Sequence, residues 1–581
     1  MRKQSQGQAQ RQRQDRRQKR RGASAPIIQV EAPSYYDYQA DAVAPIDFKP
    51  LLEHAKLASL EPNGPEGTFD QALPGLNGFS LAAEEPTAKA LLSFYARQPR
   101  FIWVDGHEPG ARALEALRVL SEADAFGLSP DEYAVALPNV TPVGDDAARL
   151  RELVRFEMTL SARVLRYLRD AGGGRIDPNR ISGYHDFPLK PFDGEAELAR
   201  MVRAKDIRAA LEGAHPRMPE FAALKAELAR LRATTDDWEP IGENVLLKPG
   251  QSSSELPKIL RLIAEELTVP EHAELKTELE PFLTSETYSE PLVPVIKAVQ
   301  EIKGLRPDGI IGSRTIEALA GISQEEQIEK VEIAMEQLRW HPRSLGDTRV
   351  FINQPAFTAS YLEGGAEKLS MRVVIGTPAN QTSFFYDEIE QVDYNPYWGV
   401  PQSILINEML PRLRRDPGYL DRAGYEVSDS KGRRISSAKV NWWSYSPKSP
   451  LSVRQTPSEA NALGELKILF PNKHAIYMHD TPAKDLFDKD ERAFSHGCVR
   501  LHDPRGMAAA VLGTSVEHVA EKLEQGHSTE KVSQKIPVYV AYFTAWPDAG
   551  GTVRYFADIY ERDKHIEAAI AETTETRSAG S

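Results

Sequence analysis

The spacing of apolar residues changes along this chain from helical to strand-like, and the change limits the folds available to it. From Leu153 to Tyr167 apolar side chains recur at helical spacing, and the run 171–174, Ala-Gly-Gly-Gly, ends the pattern. From Arg349 onward apolar and polar residues alternate as in half-buried strands, and strands are predicted again at 538–543 and 553–556. We therefore predict a multi-domain α+β protein with a helical first part and a mostly β second part.

Length and charge narrow the class of protein further. A chain of 581 residues has room for about three or four domains, and its 41% hydrophobic residues can fill real cores. Its apolar runs all fall short of the roughly 20 residues that span a bilayer, so we expect no transmembrane segment. A net charge of −13 argues against general nucleic-acid binding. The single cysteine excludes any disulfide within the chain.

That cysteine, Cys498, lies in surroundings that suit a nucleophilic thiol: Ser495-His496-Gly497-Cys498-Val499-Arg500. The thiolate is the reactive form, so the site must supply a base or lower the thiol pKa. His479 is the predicted base, because it ends an apolar, strand-like run. The charged segment 480–492 is predicted to be a surface loop that folds the imidazole back onto the sulfur.

Two neighbours of Cys498 have predicted supporting roles. Gly497 permits close backbone approach, so the amides of Gly497 and Cys498 can face a developing oxyanion. Arg500 either adds positive charge near the thiolate or binds a substrate carboxylate.

Other interpretations of the same residues stay open. A lone cysteine is commonly a small buried hydrophobe. Thiolate and imidazole together are also a zinc ligand set, and four histidines are close to Cys498 in sequence: His474, His479, His496 and His502. No pair of these residues has the usual finger spacing, and a zinc-bound thiolate would be a poor nucleophile. We therefore predict neither a metal nor a cofactor. A papain-like arrangement is disfavoured because there the cysteine comes long before its histidine.

The motif and its surroundings resemble the L,D-transpeptidase catalytic domain, found in bacterial cysteine enzymes that remodel peptidoglycan. His479 and the run Ser495–Arg500 carry the resemblance. Further segments are similar to the large, multi-domain periplasmic subgroup of this family: Ile476–Pro482, Arg492–Phe494, Asn461–Gly464 and Asn395–Pro401. The similarity extends from about residue 70 to 565.

The resemblance implies a mechanism. Cys498 would be the nucleophile and His479 the general base and proton donor. The thiol would attack the carbonyl of the third residue, usually diaminopimelate, in a tetrapeptide stem, and D-alanine would leave. An amine of a neighbouring stem would then attack the thioester and form a 3→3 cross-link. Members of the family are typically acylated by carbapenems.

The resemblance also assigns the remaining site residues. Ser495, His496, Gly497 and Arg500 would be supporting motif positions. Tyr477 and Trp398 are the predicted substrate contacts, because both lie in motif-bearing segments. Asp480 follows His479 where smaller residues often stand in the family, and a backbone carbonyl can orient the histidine in its place.

Alternative activities need the same groups, so the motif does not separate them. Water in place of the acceptor amine would make the protein an L,D-carboxypeptidase. A protein amine would make it an enzyme that attaches proteins to peptidoglycan. A non-enzymatic wall-binding protein is the remaining alternative. In each case the predicted partners are peptidoglycan stem peptides, and the sequence identifies no protein partner.

The first part of the chain is predicted to contain two folded units. Residues 70–244 resemble the helical scaffold domain of the large subgroup. Residues 245–322 resemble a three-helix peptidoglycan-binding module, with a Pro-Asp-Gly turn before a helix that is capped near Ser313. A connecting helix follows over 323–347, where Ser323 and Glu326 form a capping box.

The second part is predicted to be the catalytic domain. It covers 348–565, and an insertion at about 402–456 resembles a lid over the active site. Trp442 and Trp443 are interpreted as packing the lid itself rather than stacking on substrate. Residues 566–581 are predicted to be a C-terminal tail.

The N-terminus fits this picture least well. Residues 1–69 are predicted to be a disordered basic segment followed by a linker. The basic residues of 2–21 are not followed by the apolar h-region of a signal peptide. Because the resemblance implies a periplasmic protein, we expect an export signal upstream of this sequence. The alternative is a solvated basic tail that contacts anionic lipid or nucleic acid.

Overall fold

A computed structural model of the protein describes residues 33–58, 68–139, 145–234, 245–268 and 272–579, together with Ile241. The basic segment 2–21 lies outside the described residues, so the prediction of disorder there stays a prediction. Within the described ranges, no helix combines the length and the apolar character needed to cross a membrane.

The first domain is built around one long helix. Its elements are β1 (Val43–Pro45), α1 (Lys49–Ala58), α2 (Thr68–Ala72), β2 (Ala82–Glu84), α3 (Glu85–Arg97), β3 (Val104–Asp105), β4 (Glu108–Pro109), α4 (Ala111–Ser121), α5 (Asp146–Gly173), β5 (His185–Asp186), α6 (Gly194–Arg203), α7 (Ile207–Glu212) and α8 (Pro219–Ala233). Asp145 caps α5 by accepting a hydrogen bond from the amide of Ala148 at 2.9 Å. The helical spacing seen in the sequence follows the buried residues of α5, from Leu153 to Tyr167.

Part of the linker that was predicted before residue 70 is folded in the structure, over residues 33–58. β1 pairs with β2, and Ile46, Phe48 and Leu51 are buried in the same core as α5. These three apolar residues are too few and too close in sequence to show a periodic pattern. Their burial depends on partners far along the chain.

The second unit has its own core, as the sequence indicated. Its helices are α9 (Leu256–Glu266), α10 (Ala273–Leu279), α11 (Leu292–Ile302) and α12 (Ser313–Ala320). The described residues therefore carry four helices where three were predicted. The Pro-Asp-Gly turn is held by Gln300, whose Oε1 accepts a hydrogen bond from the amide of Gly309 at 2.8 Å, and α12 begins at Ser313.

Helix α13 (Gln324–Trp340) connects the first part of the chain to the catalytic domain. The Ser323 hydroxyl accepts a hydrogen bond from the Glu326 amide at 3.1 Å, which is one half of the expected capping box. From Lys330 to Trp340 nearly every residue of α13 is buried, and the helix shares one core with α8 and the catalytic sheet. The scaffold is therefore packed continuously onto the catalytic domain.

The catalytic domain is a closed sheet with helices on its outside. Its strands are β6 (Arg349–Asn353), β7 (Thr358–Glu363), β8 (Ala366–Gly376), β9 (Phe384–Tyr394), β14 (Leu466–Leu469), β15 (Met478–His479), β16 (Ala493–Ser495), β17 (Val499–Leu501) and β18 (Ser528–Ala541). Eight strands run in the order β14-β15-β17-β8-β7-β6-β18-β9, and β9 also pairs with β14, which closes the ring. Helices α17 (Pro504–Leu512) and α18 (Val516–Glu524) precede β18, and the hairpin β19 (Ala545–Pro547) and β20 (Val553–Tyr555) follows it.

The insertion between β9 and β14 folds as a small unit, which we call the lid. It contains β10 (Trp398–Gly399), α14 (Gln402–Ile404), a π-helix (Leu405–Met409), α15 (Leu410–Arg415), α16 (Tyr419–Arg422), β11 (Tyr425–Ser428), β12 (Arg434–Ile435) and β13 (Ser452–Gln455). Trp442 is 1% exposed and packs in the lid core, as interpreted from the sequence. Trp443 differs: it is 64% exposed, with the Arg414 guanidinium 5.5 Å from its ring centre.

The predicted C-terminal tail is instead mostly the helix α19 (Arg562–Ala579). Arg577 is buried against the first domain, where it binds Asp170 through two hydrogen bonds of 2.7 and 3.0 Å and also binds Glu132. The tail prediction is wrong over residues 566–579. The buried side of α19 includes polar residues such as Thr573 and Arg577, which obscure the apolar period.

Candidate active site

Two short parallel strands place the predicted base beside the predicted nucleophile. β15 pairs with β17 so that Met478 stands opposite Val499 and His479 opposite Arg500. Residues opposite one another share a face of the sheet, and alternate residues return to it. Met478 and Val499 are fully buried in the core. Tyr477, His479, Cys498 and Arg500 therefore project together from the other face.

A third strand adds a residue that the sequence analysis missed. Lys467 on β14 stands opposite His479 on β15, and its Nζ lies 4.3 Å from the ring centre of Tyr477. The sequence held one signal, since Lys467 interrupts the apolar strand Leu466-Lys467-Ile468-Leu469. Only the strand register shows that the lysine belongs to the face that carries Cys498.

His479 is oriented by a backbone carbonyl. Its Nδ1 donates a hydrogen bond to the carbonyl oxygen of Asp480. Because a carbonyl only accepts, the neutral imidazole carries its proton on Nδ1 and leaves the Nε2 lone pair free to accept another. Burial, together with the charges of Arg500 and Lys467, lowers the pKa of His479 to about 3 against the opposing effect of Asp480. The imidazole is therefore neutral at neutral pH.

The side chain of Asp480 fixes the carbonyl that holds His479. Its Oδ2 accepts a hydrogen bond from the Glu465 amide at 3.0 Å, and its Oδ1 pairs with Lys484 Nζ at 2.5 Å. This carboxylate fits because residue 464 is glycine: a Cβ there would lie 2.1 Å from Asp480 Oδ2, and φ is +58°. The aspartate thus anchors the turn behind the base.

Cys498 is partly accessible to solvent and carries a neutral thiol in this structure. Its Sγ donates a hydrogen bond to the carbonyl of Ala475 at 3.6 Å. Burial raises the pKa of Cys498 above its usual value, although hydrogen bonds from Tyr477 and the charges of Lys467 and Arg500 oppose the rise. Burial and the Cys498 thiolate also raise the pKa of Tyr477, so its hydroxyl keeps its proton and stays a donor.

The motif residues before Cys498 shape the turn that presents it. Ser495 Oγ donates to the Cys498 carbonyl at 2.6 Å and accepts from the Gly497 amide at 3.0 Å. Gly497 has φ of +112°, and its carbonyl accepts from Thr382 Oγ1 at 2.8 Å. The Gly497 amide is therefore occupied, contrary to its expected role as an oxyanion donor. Among the described residues the Cys498 amide has no hydrogen-bond partner, which leaves it free for that role.

His496 faces the lid and not the base. Its Nε2 lies 2.6 Å from Oε1 of Glu408, which belongs to the π-helix Leu405–Met409. π-Helical turns are rare and often occur at functional sites. The motif and the lid are therefore in direct contact two residues from the thiol.

The histidines near Cys498 in sequence do not converge in space. His474 contacts Asp186 at 3.3 Å, and His502 contacts Arg372 at 3.2 Å. Throughout the described ranges, no group of three or more His, Cys, Asp or Glu side chains is arranged to hold a metal ion.

Arg500 and Trp398 lie beside the residues described above. The Nε of Arg500 is buried and has no hydrogen-bond partner in the described part of the chain, and burial lowers the pKa of the guanidinium. Trp398 lies on β10, paired with β13, and a hydrogen bond between Trp398 and Tyr477 lowers the Tyr477 pKa. Both residues predicted to contact substrate, Tyr477 and Trp398, therefore lie close to Cys498.

Comparison with known proteins gives two domain matches and one relative. Residues 89–228 match the scaffold domain, and residues 347–524 match the L,D-transpeptidase catalytic domain. A protein of Haemophilus influenzae (strain ATCC 51907 / DSM 11121 / KW20 / Rd), named as a candidate L,D-transpeptidase, is 33% identical over 224 residues. The match covers 38% of this chain and 45% of the relative, so the chain spans less than half the length of that protein.

Proposed function

We propose that this protein is a peptidoglycan L,D-transpeptidase that works through an acyl-enzyme on Cys498. Residues 347–524 match the L,D-transpeptidase catalytic domain, and residues 89–228 match the scaffold domain. One observation carries the proposal. Cys498 and His479 share one face of the sheet, and the Nε2 lone pair of His479 is free because Nδ1 donates to Asp480.

The acylation step follows from these positions. The Cys498 sulfur attacks the carbonyl carbon of the third stem residue while its proton passes to His479 Nε2. The carbonyl oxygen becomes an oxyanion, which the Cys498 amide and the Tyr477 hydroxyl stabilise. The carbon–nitrogen bond then breaks, the imidazolium returns its proton to the departing D-alanine amine, and a thioester remains.

Transfer to the acceptor reverses the roles of the same groups. A neutral amine of a second stem attacks the thioester, and His479 takes one of its protons. The sulfur leaves as thiolate and recovers a proton from the imidazolium. The product is a 3→3 amide cross-link, and the thiol and imidazole return to their neutral forms.

The lid supports transfer to an amine over hydrolysis. Its contact with the motif, from Glu408 to His496, holds it beside the thiol. A lid in this position excludes water from the thioester and leaves a path for a bound acceptor. Reaction with water at the same site would make the protein an L,D-carboxypeptidase.

The helical unit of residues 245–320 would act as a peptidoglycan-binding module. A cleft of about 860 Å³ separates its Pro-Asp-Gly turn from the catalytic loop 488–491. Phe494 lines this cleft, is 43% exposed and directly precedes Ser495. An exposed aromatic ring among polar side chains suits a sugar face, so this cleft would guide a glycan strand toward Cys498. Peptidoglycan lies outside the cytoplasm, and the protein would therefore act in the cell envelope.

The acyl-enzyme tests the proposal. Wild-type protein and Cys498→Ala are incubated with a purified tetrapeptide stem and measured by intact-mass spectrometry. We expect a wild-type adduct equal to the stem without D-alanine and no adduct on the variant. Adding a second stem should yield a cross-linked dimer; tripeptide without dimer would indicate the carboxypeptidase. A folded wild-type protein with no adduct would contradict the proposal.

A further inference from the structure

Two cations flank His479 in the cleft. Lys467 stands opposite His479 on β14, and Arg500 stands opposite it on β17. Neighbouring strands lie about 4.8 Å apart, so the imidazole lies between two positive side chains on one face of the sheet. Both cations act on the same two groups, since each lowers the pKa of His479 and of Cys498.

Across the described ranges, no carboxylate lies within 4.0 Å of the charged nitrogens of Lys467 or Arg500, and the Nε of Arg500 is buried without a hydrogen-bond partner. Half-buried cations without a counter-ion are unfavourable, and their usual partners are carboxylates or phosphates. The Lys467 ammonium lies over the Tyr477 ring, and that contact gives only part of the stabilisation that a carboxylate would.

Acidic groups on the neighbouring strands and turns have partners of their own. Asp393 stands opposite Lys467 on β9, but it accepts hydrogen bonds from Thr529 Oγ1 at 2.9 Å and Gln391 Nε2 at 2.8 Å. Asp480 lies behind His479 and is held by Lys484. Glu465 pairs with Arg505. Among the described residues, Lys467 and Arg500 therefore have no carboxylate partner within 4.0 Å, and each can accept one from a bound molecule.

We propose that Lys467 and Arg500 form a two-cation cradle that binds carboxylates of the donor stem beside His479 and Cys498. The inference rests on the proposed function. A bound carboxylate supplies the negative charge that these two cations lack, and it holds the donor stem beside Cys498. Two carboxylates can serve: that at the end of the third residue's side chain, and that of the terminal D-alanine.

Three variants and three donors test the cradle. The variants are Lys467→Met, Lys467→Arg and the control Lys368→Met, which removes an exposed lysine from β8 of the same sheet. The donors are a tetrapeptide stem with free carboxylates, its carboxamide at the third residue's side chain, and its C-terminal D-alaninamide. Rates of acyl-enzyme formation are measured by quenched-flow intact-mass spectrometry at low and saturating donor.

We expect Lys467→Met to slow acylation by the free-acid donor about tenfold or more, as for one lost hydrogen bond between charged groups. Lys467→Arg should recover most of this rate, and Lys368→Met should match wild type. With one of the two amidated donors, wild type and Lys467→Met should react equally, and this donor identifies the carboxylate that Lys467 binds. The loss should appear chiefly in the rate at low donor, because the cradle binds the donor.

Two results would overturn the inference while leaving the proposed function in place. Lys467→Met could lose the same factor with all three donors, which would make the lysine a structural support of Tyr477. It could also acylate as fast as wild type with the free-acid donor. A wild-type protein that forms no acyl-enzyme with any donor would instead overturn the proposed function and the cradle together.

Discussion

Replacing Gly464 by alanine should damage the active site from behind His479. The new Cβ would lie 2.1 Å from Asp480 Oδ2 and 2.4 Å from its Cγ, so the carboxylate must move. The hydrogen bond from the Glu465 amide to that oxygen would then be lost. Because the Asp480 carbonyl orients His479, we expect slower acylation together with lower stability.

The magnitude can be worked from two contributions. Placing a Cβ at φ of +58° costs about 1 to 2 kcal/mol. Leaving the Glu465 amide without its acceptor costs about 1 to 3 kcal/mol more. The expected loss for Gly464→Ala is therefore about 2 to 5 kcal/mol. The matched control is Gly432→Ala in the lid, where φ is +73° and nothing lies within 4 Å of the new Cβ, so only the backbone contribution applies.

Thermal unfolding and acylation rate measured on both variants decide the argument. Gly464→Ala should unfold at a lower temperature than Gly432→Ala and should acylate at least about tenfold more slowly, since a misoriented base loses most of its general-base contribution. If the two variants unfolded alike and acylated alike, the link from Gly464 through Asp480 to His479 would be wrong.

Three further predictions follow from the same structure. Because burial raises the pKa of Cys498, alkylation of the resting enzyme by iodoacetamide should be slow at pH 7 and still rising above pH 9; a plateau below pH 8 would contradict this. Glu408→Gln removes the charged contact with His496 and should raise the ratio of hydrolysed to cross-linked product several-fold in a product assay, with little change in acylation. Arg577→Met removes the cation that Asp170 binds through two hydrogen bonds and should cost about 3 to 5 kcal/mol of stability, read as a lower unfolding temperature. Burial alone would raise the pKa of Asp170, but Arg577 and Arg169 outweigh it and hold the pKa at about 2, below its usual 3.8. The stabilisation from this carboxylate is therefore present above about pH 4 and lost as the pH falls toward 2, which acid unfolding of wild type and Arg577→Met should show.

The local patterns of the site could be predicted from the sequence, but the way in which distant segments come together could not. The helical spacing of α5 and the alternation after Arg349 are visible because each pattern repeats within one element. That His479 and Cys498 share a face of the sheet was also foreseeable, because a single loop joins their strands. The position of Lys467 on this face could not be predicted, because it depends on the register of β14 against β15, which tertiary packing sets.

Two other features of the structure could not be predicted from the sequence, for related reasons. The occupied amide of Gly497 depends on the Ser495 hydroxyl turning inward, and composition does not reveal a rotamer. Helix α19 docks through Arg577 on acidic groups that are several hundred residues earlier in the chain. A helix face that is buried through ion pairs has no apolar periodicity in its sequence.

The resting charges around Cys498 matter for the proposed cradle. Burial raises the pKa of the Cys498 thiol, and burial together with nearby cations holds that of His479 at about 3, so the resting pair is a neutral thiol and a neutral imidazole. Lys467 and Arg500 lower both pKa values, so they favour the thiolate while they disfavour the imidazolium. In the proposed cradle a donor carboxylate would lie between the same two cations, so the charges that select an acidic donor would also act on the thiol and the base that it meets.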